Sequence, residues 1–415
     1  MSHKFPGTDG RQHTGAALTG PKTRAPSLMR GNVLWLSAAS FLNDAASEMI
    51  YPLLPLFLAG TLGVGAAFVG VVEGAAESAS SLLKLASGWV ADRSGRRKLP
   101  TVLGYGIAAL GRPLISVAAV GWHVLAVRLL DRVGKGIRTA PRDALLAESV
   151  PEDRRGAAFG LHRAADHSGA VAGPLIASAL LLALDGDLRT VFALALIPGL
   201  LTVAVVAGKV RETAPAARPT GAPAPPLPRL RELGPVLPRY LGVLVLFTLG
   251  NASDAFLLLR AHDVGVPTAA IPLLWGALHV SKAVWSVLGG RWSDRVGARR
   301  AIVAGWLVYA GVYAGFAFVE AAWQVWALFL VYGLFFGLTE GPEKALVAGL
   351  APAGLRGSAF GAYHAAIGIA ALPASVIFGI VWQAFDPRWA FAMGAALALA
   401  AALLLPLALP REPRK

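Results

Sequence analysis

The chain has 415 residues, 55% of them hydrophobic and 15% charged, where a soluble domain carries about a quarter charged residues. Mean hydropathy is +0.59, and cysteine is absent, which excludes disulfides, thiolate chemistry and Cys-based zinc sites. The net charge of +14 does not point to nucleic acid, because Lys and Arg fall between apolar stretches, on every second loop, as positive-inside bias requires.

Residues 1–30 are polar, with scattered Gly, Pro, Lys and Arg. They hold no apolar core of a signal peptide and are predicted to form a disordered cytoplasmic tail. Twelve apolar spans follow, near 32–60, 66–91, 100–121, 122–147, 157–184, 189–209, 237–262, 268–292, 300–319, 323–349, 358–384 and 387–410. About 20 apolar residues cross roughly 30 Å of hydrocarbon as a helix. Nothing shows the alternating segments of barrel strands, so the fold class is an all-α polytopic membrane protein. The fourth span is predicted to be interrupted at Pro141 and Arg142. The 92–98, 148–156, 210–236, 291–300 and 350–357 loops and the tail at 411–415 hold most of the basic residues. The intervening loops hold almost none, so both termini are predicted cytoplasmic. The Pro-rich stretch 210–236 divides the chain into a bundle at 31–209 and a bundle at 237–410, with a short tail at 411–415.

Two stretches repeat. Gly88-x3-Asp92-Arg93-x-Gly95-Arg96-Arg97-Lys98 is answered 202 residues later by Gly290-x3-Asp294-Arg295-x-Gly297-Ala298-Arg299-Arg300. Arg155-Gly-Ala-Ala-Phe-Gly returns 201 residues on as Arg356-Gly-Ser-Ala-Phe-Gly. Half the protein is duplicated in parallel, a plan that places a substrate site between the halves. In the first loop Gly88 permits close helix approach, Gly95 a tight turn, and the charges sit at the membrane face. The plainer reading is a basic loop that only sets orientation. This loop resembles the signature loop of the major facilitator superfamily, complete in the first half and degraded in the second, where Ala298 replaces an Arg. The resemblance implies twelve transmembrane helices in two pseudo-symmetric six-helix bundles, alternating access, and a gate at Gly88, Asp92, Arg93, Gly95, Arg96, Arg97, Asp294 and Arg295. Arg132-x-x-Lys135-Gly136 is similar to the family's Arg-x-x-Gln-Gly, whose Arg is associated with proton transfer; Lys135 stands where Gln is usual. Gly169-x3-Gly173-Pro174 resembles a helix-packing motif of antiporter branches. Its counterpart reads Ala370-x3-Ala374-Ser375, so the motif is one-sided.

Charges inside the spans are the strongest pointer to chemistry. Each costs at least roughly 2.5 kcal/mol at mid-membrane. Asp44 and Glu48, four apart, share a face of the first span, and His162 and Asp166 share one in the fifth. Paired carboxylates in a poorly solvated place suit proton carriage. Proton coupling is therefore assigned to Asp44, Glu48 and Asp166, and by the family resemblance to Arg132; substrate contact is assigned to Glu77, Arg112, His162, Arg163, His279, Lys282 and His364. By the duplication Glu77 maps to His279, Arg163 to His364, and Arg142 to Glu343, so charge is altered while the backbone plan is kept. Opposed charges on matched helices are expected to pair across a central cavity, with Trp275 and Tyr363 lining it. Ion pairs that merely orient helices are the plainer alternative.

The expectation is a secondary transporter that exports a small polar or charged molecule by proton antiport, acting as a monomer. Its partners are substrate, protons and the lipid bilayer, with no nucleic acid and no cofactor. Symport of an organic anion held by Arg112, Arg132, Arg163 or Lys282 is the second reading. Divalent-metal export on Asp44 with Glu48 and His162 with Asp166 is a third; no His-x3-His pair supports it, so no metal ligands are assigned. A membrane enzyme using Asp44 and His162 would need a catalytic loop, and the loops are short.

Overall fold

The computed structural model describes residues 31–94, 97–151, 154–213, 230–352 and 355–409; the side chains of 84–94 also fall outside the description. Every regular element among the described residues is helical. The first span is α1 (Gly31–Glu48), a 3-10 turn, α2 (Leu54–Leu56) and a π turn ending at Thr61. The second is α3 (Ala66–Ser94); the third is α4 (Lys98–Gly111) with a 3-10 extension to Val117. Then come α5 (Gly121–Glu148), α6 (Arg155–Ala183), and the pair α7 (Leu188–Leu194) and α8 (Leu196–Lys209). The second half runs through α9 (Val236–Gly250), α10 (Ala255–Asp263), α11 (Ile271–Val296), α12 (Ala298–Phe318), α13 (Ala322–Leu350), α14 (Arg356–Ala384) and α15 (Pro387–Ala408). Nine stretches among the described residues are long and apolar enough to cross a membrane. The first, third and fourth spans fall short of that measure. The first is broken and carries Asn43, Asp44 and Glu48; the third is broken at Arg112-Pro113; the fourth holds a row of charges from Arg128 to Asp143.

Two breaks occupy matching places in the two halves. In the first span Pro52 and Pro55 lack backbone donors, so α1 cannot continue and a 3-10 turn takes over at Tyr51. In the seventh span α9 stops at Gly250, and α10 starts at Ala255, 203 residues after Pro52. The carbonyls freed there are satisfied by side chains: the Tyr309 hydroxyl donates to Gly250 O at 3.1 Å and the Tyr313 hydroxyl to Ala252 O at 3.3 Å. The Ser253 amide donates to Ser375 Oγ at 3.2 Å. Irregular backbone at membrane depth survives only where protein replaces the missing bonds. Paired interruptions of this kind point to the centre of a carrier.

The expected interruption of the fourth span does not occur. α5 runs unbroken from Gly121 to Glu148 with the Pro141 ring buried inside it. Surrounding helices hold the backbone on either side, and opening it in lipid would leave several polar groups unpaired. The start of the 210–236 connector is also less loose than its composition implies. Arg211 exchanges two bonds with the Asn32 side chain, at 2.8 and 2.9 Å, and the Glu212 carboxylate accepts from the Arg97 and Lys98 amides at 3.1 Å each. Residues 214–229 lie outside the described residues.

Within the first bundle α1 packs on α6 and α8, and α5 on α3 and α4. Within the second, α13 packs on α11 and α12, and α15 on α9 and α12. The bundles meet along two helix pairs, α3 with α14 and α6 with α11. Small residues set this approach: a methyl on Gly70 would collide with the Ser375 carbonyl, and one on Gly379 would come within 2.5 Å of Ala66 O.

Candidate functional site

The bundles are sealed at the end bearing the poorly charged loops. Trp275 Nε1 on α11 donates to Glu48 Oε2 on α1 at 2.7 Å, and His279 Nε2 lies 3.9 Å from the same oxygen. The Tyr51 and Trp275 rings meet at 5.1 Å. Ser178 Oγ donates to Ala269 O at 2.7 Å, and Gln383 Oε1 accepts from the Ala67 amide at 3.3 Å. On the faces running from this seal toward the basic loops, Glu77, Lys135, Arg163, His167, Ser286 and Glu340 are exposed.

The first bundle holds its charges in pairs. Arg112 is 8% exposed; its Nε donates to Asp131 Oδ1 at 2.8 Å and its Nη1 to the carbonyl and side-chain oxygens of Asn43 at 3.1 and 3.2 Å. Spans one, three and four are thereby tied together, and two of the Arg112 nitrogens predicted to meet substrate are spent on protein. Arg132 stands 3.7 Å from the other Asp131 oxygen. Arg128 pairs with Glu73 at 2.9 Å and lies over the Tyr51 ring at 5.3 Å. Burial makes these pairs expensive to break rather than cheap to form.

Asp44 and Asp166 lie on neighbouring helices. Asn43 Nδ2 donates to Asp44 Oδ1 at 2.9 Å, and Lys135, Arg138 and Asp166 are charges that Asp44 feels. Asp166 accepts a short bond from Ser40 Oγ and lies 3.5 Å from His162 Nδ1 and 4.0 Å from Arg163 Nη1. The shared face expected for His162 and Asp166 is therefore present. His162 is buried and its Nε2 has no partner among the described residues. Gly169 and Gly173 press against the carbonyls of Phe41 and Ala45 on α1; α6 continues through Pro174, which faces Gly276 of α11.

In the second bundle two buried carboxylates, Asp254 and Glu343, meet neutral donors. Asp254, at the break in the seventh span, accepts from the Tyr332 hydroxyl at 2.7 Å. Glu343 is 7% exposed and accepts from Trp306 Nε1 at 3.2 Å and the Tyr363 hydroxyl at 2.8 Å. Lys282 places its ammonium 3.5 Å from the Phe336 ring centroid and 5.4 Å from that of Trp275. His364 stacks edge-on to Tyr363 at 5.2 Å. The matched pair Glu77 and His279 is not brought together as expected: Glu77 accepts from Ser81 Oγ at 3.3 Å, while His279 faces Glu48. Positions related by a pseudo-twofold axis need not touch unless they lie on it.

Much of the expected gate falls outside the described residues: this holds for Gly95 and Arg96 entirely, for the surroundings of Gly88, and for the side chains of Asp92 and Arg93. The backbone of α3 continues to Ser94, so Asp92 and Arg93 are helical. Arg97 is described and pairs with Glu148 of α5. In the second half Asp294 and Arg295 are exposed in the last turn of α11, and Gly297, at φ +89°, turns the chain into α12. Left-handed backbone of that kind favours glycine.

Sequence reading missed the partners rather than the charges. Arg128, Ser40, Tyr332 and Trp306 were not singled out. Only Arg128 had a signal, since Arg128, Asp131, Arg132 and Lys135 repeat at helical spacing within one span. Among the described residues, no three His, Asp or Glu side chains converge as metal ligands.

Two six-helix bundles, sealed at one end and lined with ionisable groups between them, define the class of polytopic membrane carriers. The chain matches the family model described as Major Facilitator Superfamily over residues 36–342 and 240–415, and it belongs to that family. An uncharacterized MFS-type transporter of Methanocaldococcus jannaschii is 32% identical over 380 residues, covering 90% of this chain and 94% of the relative. The multidrug resistance protein MdtH of Cronobacter sakazakii is 27% identical over 321 residues, covering 75% of this chain and 77% of the relative. Among solved structures, the nucleoside transporter NupG superposes with a TM-score of 0.75 at 13% identity, over 91% of this chain and 99% of that one. That likeness is one of fold.

Proposed function

We propose that the chain is a proton-coupled exporter of a small polar or charged molecule. Bundles 31–209 and 237–410 rock about the groups between them. Both termini and the basic loops face the cytoplasm, and the protein acts in the cytoplasmic membrane as a monomer. The observation that carries the reading is the contact of Glu48 with Trp275. A carboxylate of one bundle closes the seal by accepting the indole N–H of the other at 2.7 Å. Asp44 and Asp166 lie near it on the same bundle, and His279 stands 3.9 Å from it on the other. Protonating Glu48 weakens its hold on the indole and cancels its attraction to the Lys282 ammonium. The sealed and open states then bind a proton with different affinity, which is the only way a proton can bias them. Asp166, wedged between Ser40, His162 and Arg163, is the second proton site. Arg132 acts through Asp131. Asp92, Arg93, Asp294 and Arg295 form the gate at the basic-loop end. The one-sided Gly169-x3-Gly173-Pro174 motif and relatives named for multidrug resistance favour export.

The test is flux in proteoliposomes with an imposed pH gradient and a trapped pH dye. Net substrate movement without proton movement removes the antiport reading. Symport of an organic anion is the second reading, favoured by the position of Lys282.

A further inference from the structure

Lys282 is a cation that the protein holds without a direct ion pair among the described residues. Its ammonium offers three donors, yet among the described residues no carboxylate lies within 4.0 Å of it. The three carboxylates it feels are Asp254, Glu340 and Glu48. Each has another donor: the Tyr332 hydroxyl at 2.7 Å, Lys344 Nζ at 3.3 Å and Trp275 Nε1 at 2.7 Å. What holds the ammonium is aromatic. It lies over Phe336, which is itself braced edge-on by Tyr332 and Phe335, and beside Trp275. A cation held on aromatic faces recovers only part of what a charge costs at membrane depth. The other candidates for anion binding differ. Arg112 and Arg132 share Asp131, and Arg163 lies against Asp166.

We propose that Lys282 anchors the anionic group of a planar aromatic substrate, whose ring packs against the half-buried Phe336. An incoming anion supplies the acceptor that no carboxylate provides. The Phe336 ring beside it favours a planar body over an aliphatic chain. The neighbouring carboxylates are then free for protons, and Asp254, Glu340 and Glu48 repel an anion less once protonated. This assignment rests on the transporter reading above and narrows its cargo.

The experiment is equilibrium binding to the purified full chain in lipid nanodiscs, read by calorimetry. Salicylate is the probe. Salicylamide (ring without charge), acetate (charge without ring) and benzyltrimethylammonium (ring with the opposite charge) are the comparators. Salicylate is expected to bind saturably and about tenfold or more tightly than any comparator. Lys282→Gln weakens it at least about tenfold, Lys282→Arg retains it within a few-fold, and Phe336→Leu weakens salicylate but leaves acetate unchanged. Equal affinity in Lys282→Gln, absence of saturation, or tighter binding of benzyltrimethylammonium overturns the assignment. If Lys282→Gln fails to fold, the order of the four probes on the unsubstituted chain decides the question. Gradient-driven flux of the organic cation without salicylate binding leaves the transporter reading standing and removes the anion. Salicylate binding with no gradient-driven flux of any probe keeps the anchor and removes the transporter.

Discussion

The two bundles share one backbone plan and solve the problem of buried polarity in opposite ways. In the first, charges neutralise one another: Arg112 with Asp131 at 2.8 Å and Arg128 with Glu73 at 2.9 Å. In the second, aromatic side chains do the work. Phe247 stacks on Trp306 at 4.4 Å and Tyr309 on Tyr313 at 4.1 Å, while Asp254 and Glu343 take hydrogen bonds from Tyr and Trp. A paired charge is structurally committed, because moving it leaves its partner stranded. A carboxylate on a neutral donor keeps its freedom to gain or lose a proton. Asp254, Glu343 and Lys282 of the second bundle are uncommitted in this sense, and so in the first are Asp44, held by the Asn43 amide, and Glu48, which meets the second bundle across the seal. Duplication conserved where the helices break and touch, and left the chemistry of the interior free to diverge.

The comparison breaks most sharply at Asp131. Replacing it with Ala strands Arg112 in the first bundle, and a loss of about 3–5 kcal/mol is expected, read as a fall in folded yield and thermal stability of the purified protein. A stability close to that of the unsubstituted chain would show that the first bundle does not depend on its ion pairs. Next is Glu48→Gln, which keeps an acceptor for Trp275 and removes the titrating group. Proton-driven flux is expected to fall by about tenfold or more, equivalent to about 1.4 kcal/mol, with folding retained; undiminished flux would move the coupling away from the seal. Gly70→Val at the shared interface drives a side chain into the Ser375 carbonyl and should hold the bundles apart. The chain has no native cysteine, so spin labels at the exposed positions Val117 and Phe385 report that separation alone. An unchanged distance distribution would mean that the α3 and α14 contact does not set closure. Tyr309→Phe in the second bundle removes one donor to the broken seventh span, at a cost of about 1 kcal/mol in thermal unfolding. No loss would mean that water replaces the hydroxyl.

The smallest effect lies outside the membrane. Asp187 caps α7 by accepting from the Arg189 and Thr190 amides, and bonds to the Thr190 hydroxyl together with the amides hold its carboxyl below the usual 3.8. A depressed carboxylate contributes fully at pH values above its ordinary one and loses that contribution as pH falls from there through its lowered value. Asp187→Ala should speed amide exchange at the start of α7 at neutral pH, and the difference should shrink as pH falls below 3.8. Equal exchange in the two proteins at neutral pH would remove the cap.

Much of the plan was legible in the chain because it follows from local properties. A window of apolar residues is a span wherever it falls, and a basic loop marks a side without reference to neighbours. His162 and Asp166 could be paired by reading alone, since four residues of helix bring them together. Pro141 was misread because its cost depends on the helices packed around α5. The partner of Glu48 was invisible because Trp275 lies 227 residues away and on the other bundle. Glu77 and His279 were matched by the repeat, yet matched positions are symmetry mates before they are contacts.

Sequence by itself determined the membrane class, the twelve spans, the duplicated halves and the family, because hydropathy, charge placement and spacing act within a helix or a loop. Tertiary structure alone decided which charges are paired and which stand open. Pairing is set by distances across helices, and at membrane depth those distances decide whether a charge braces the fold or remains available to a proton or a substrate.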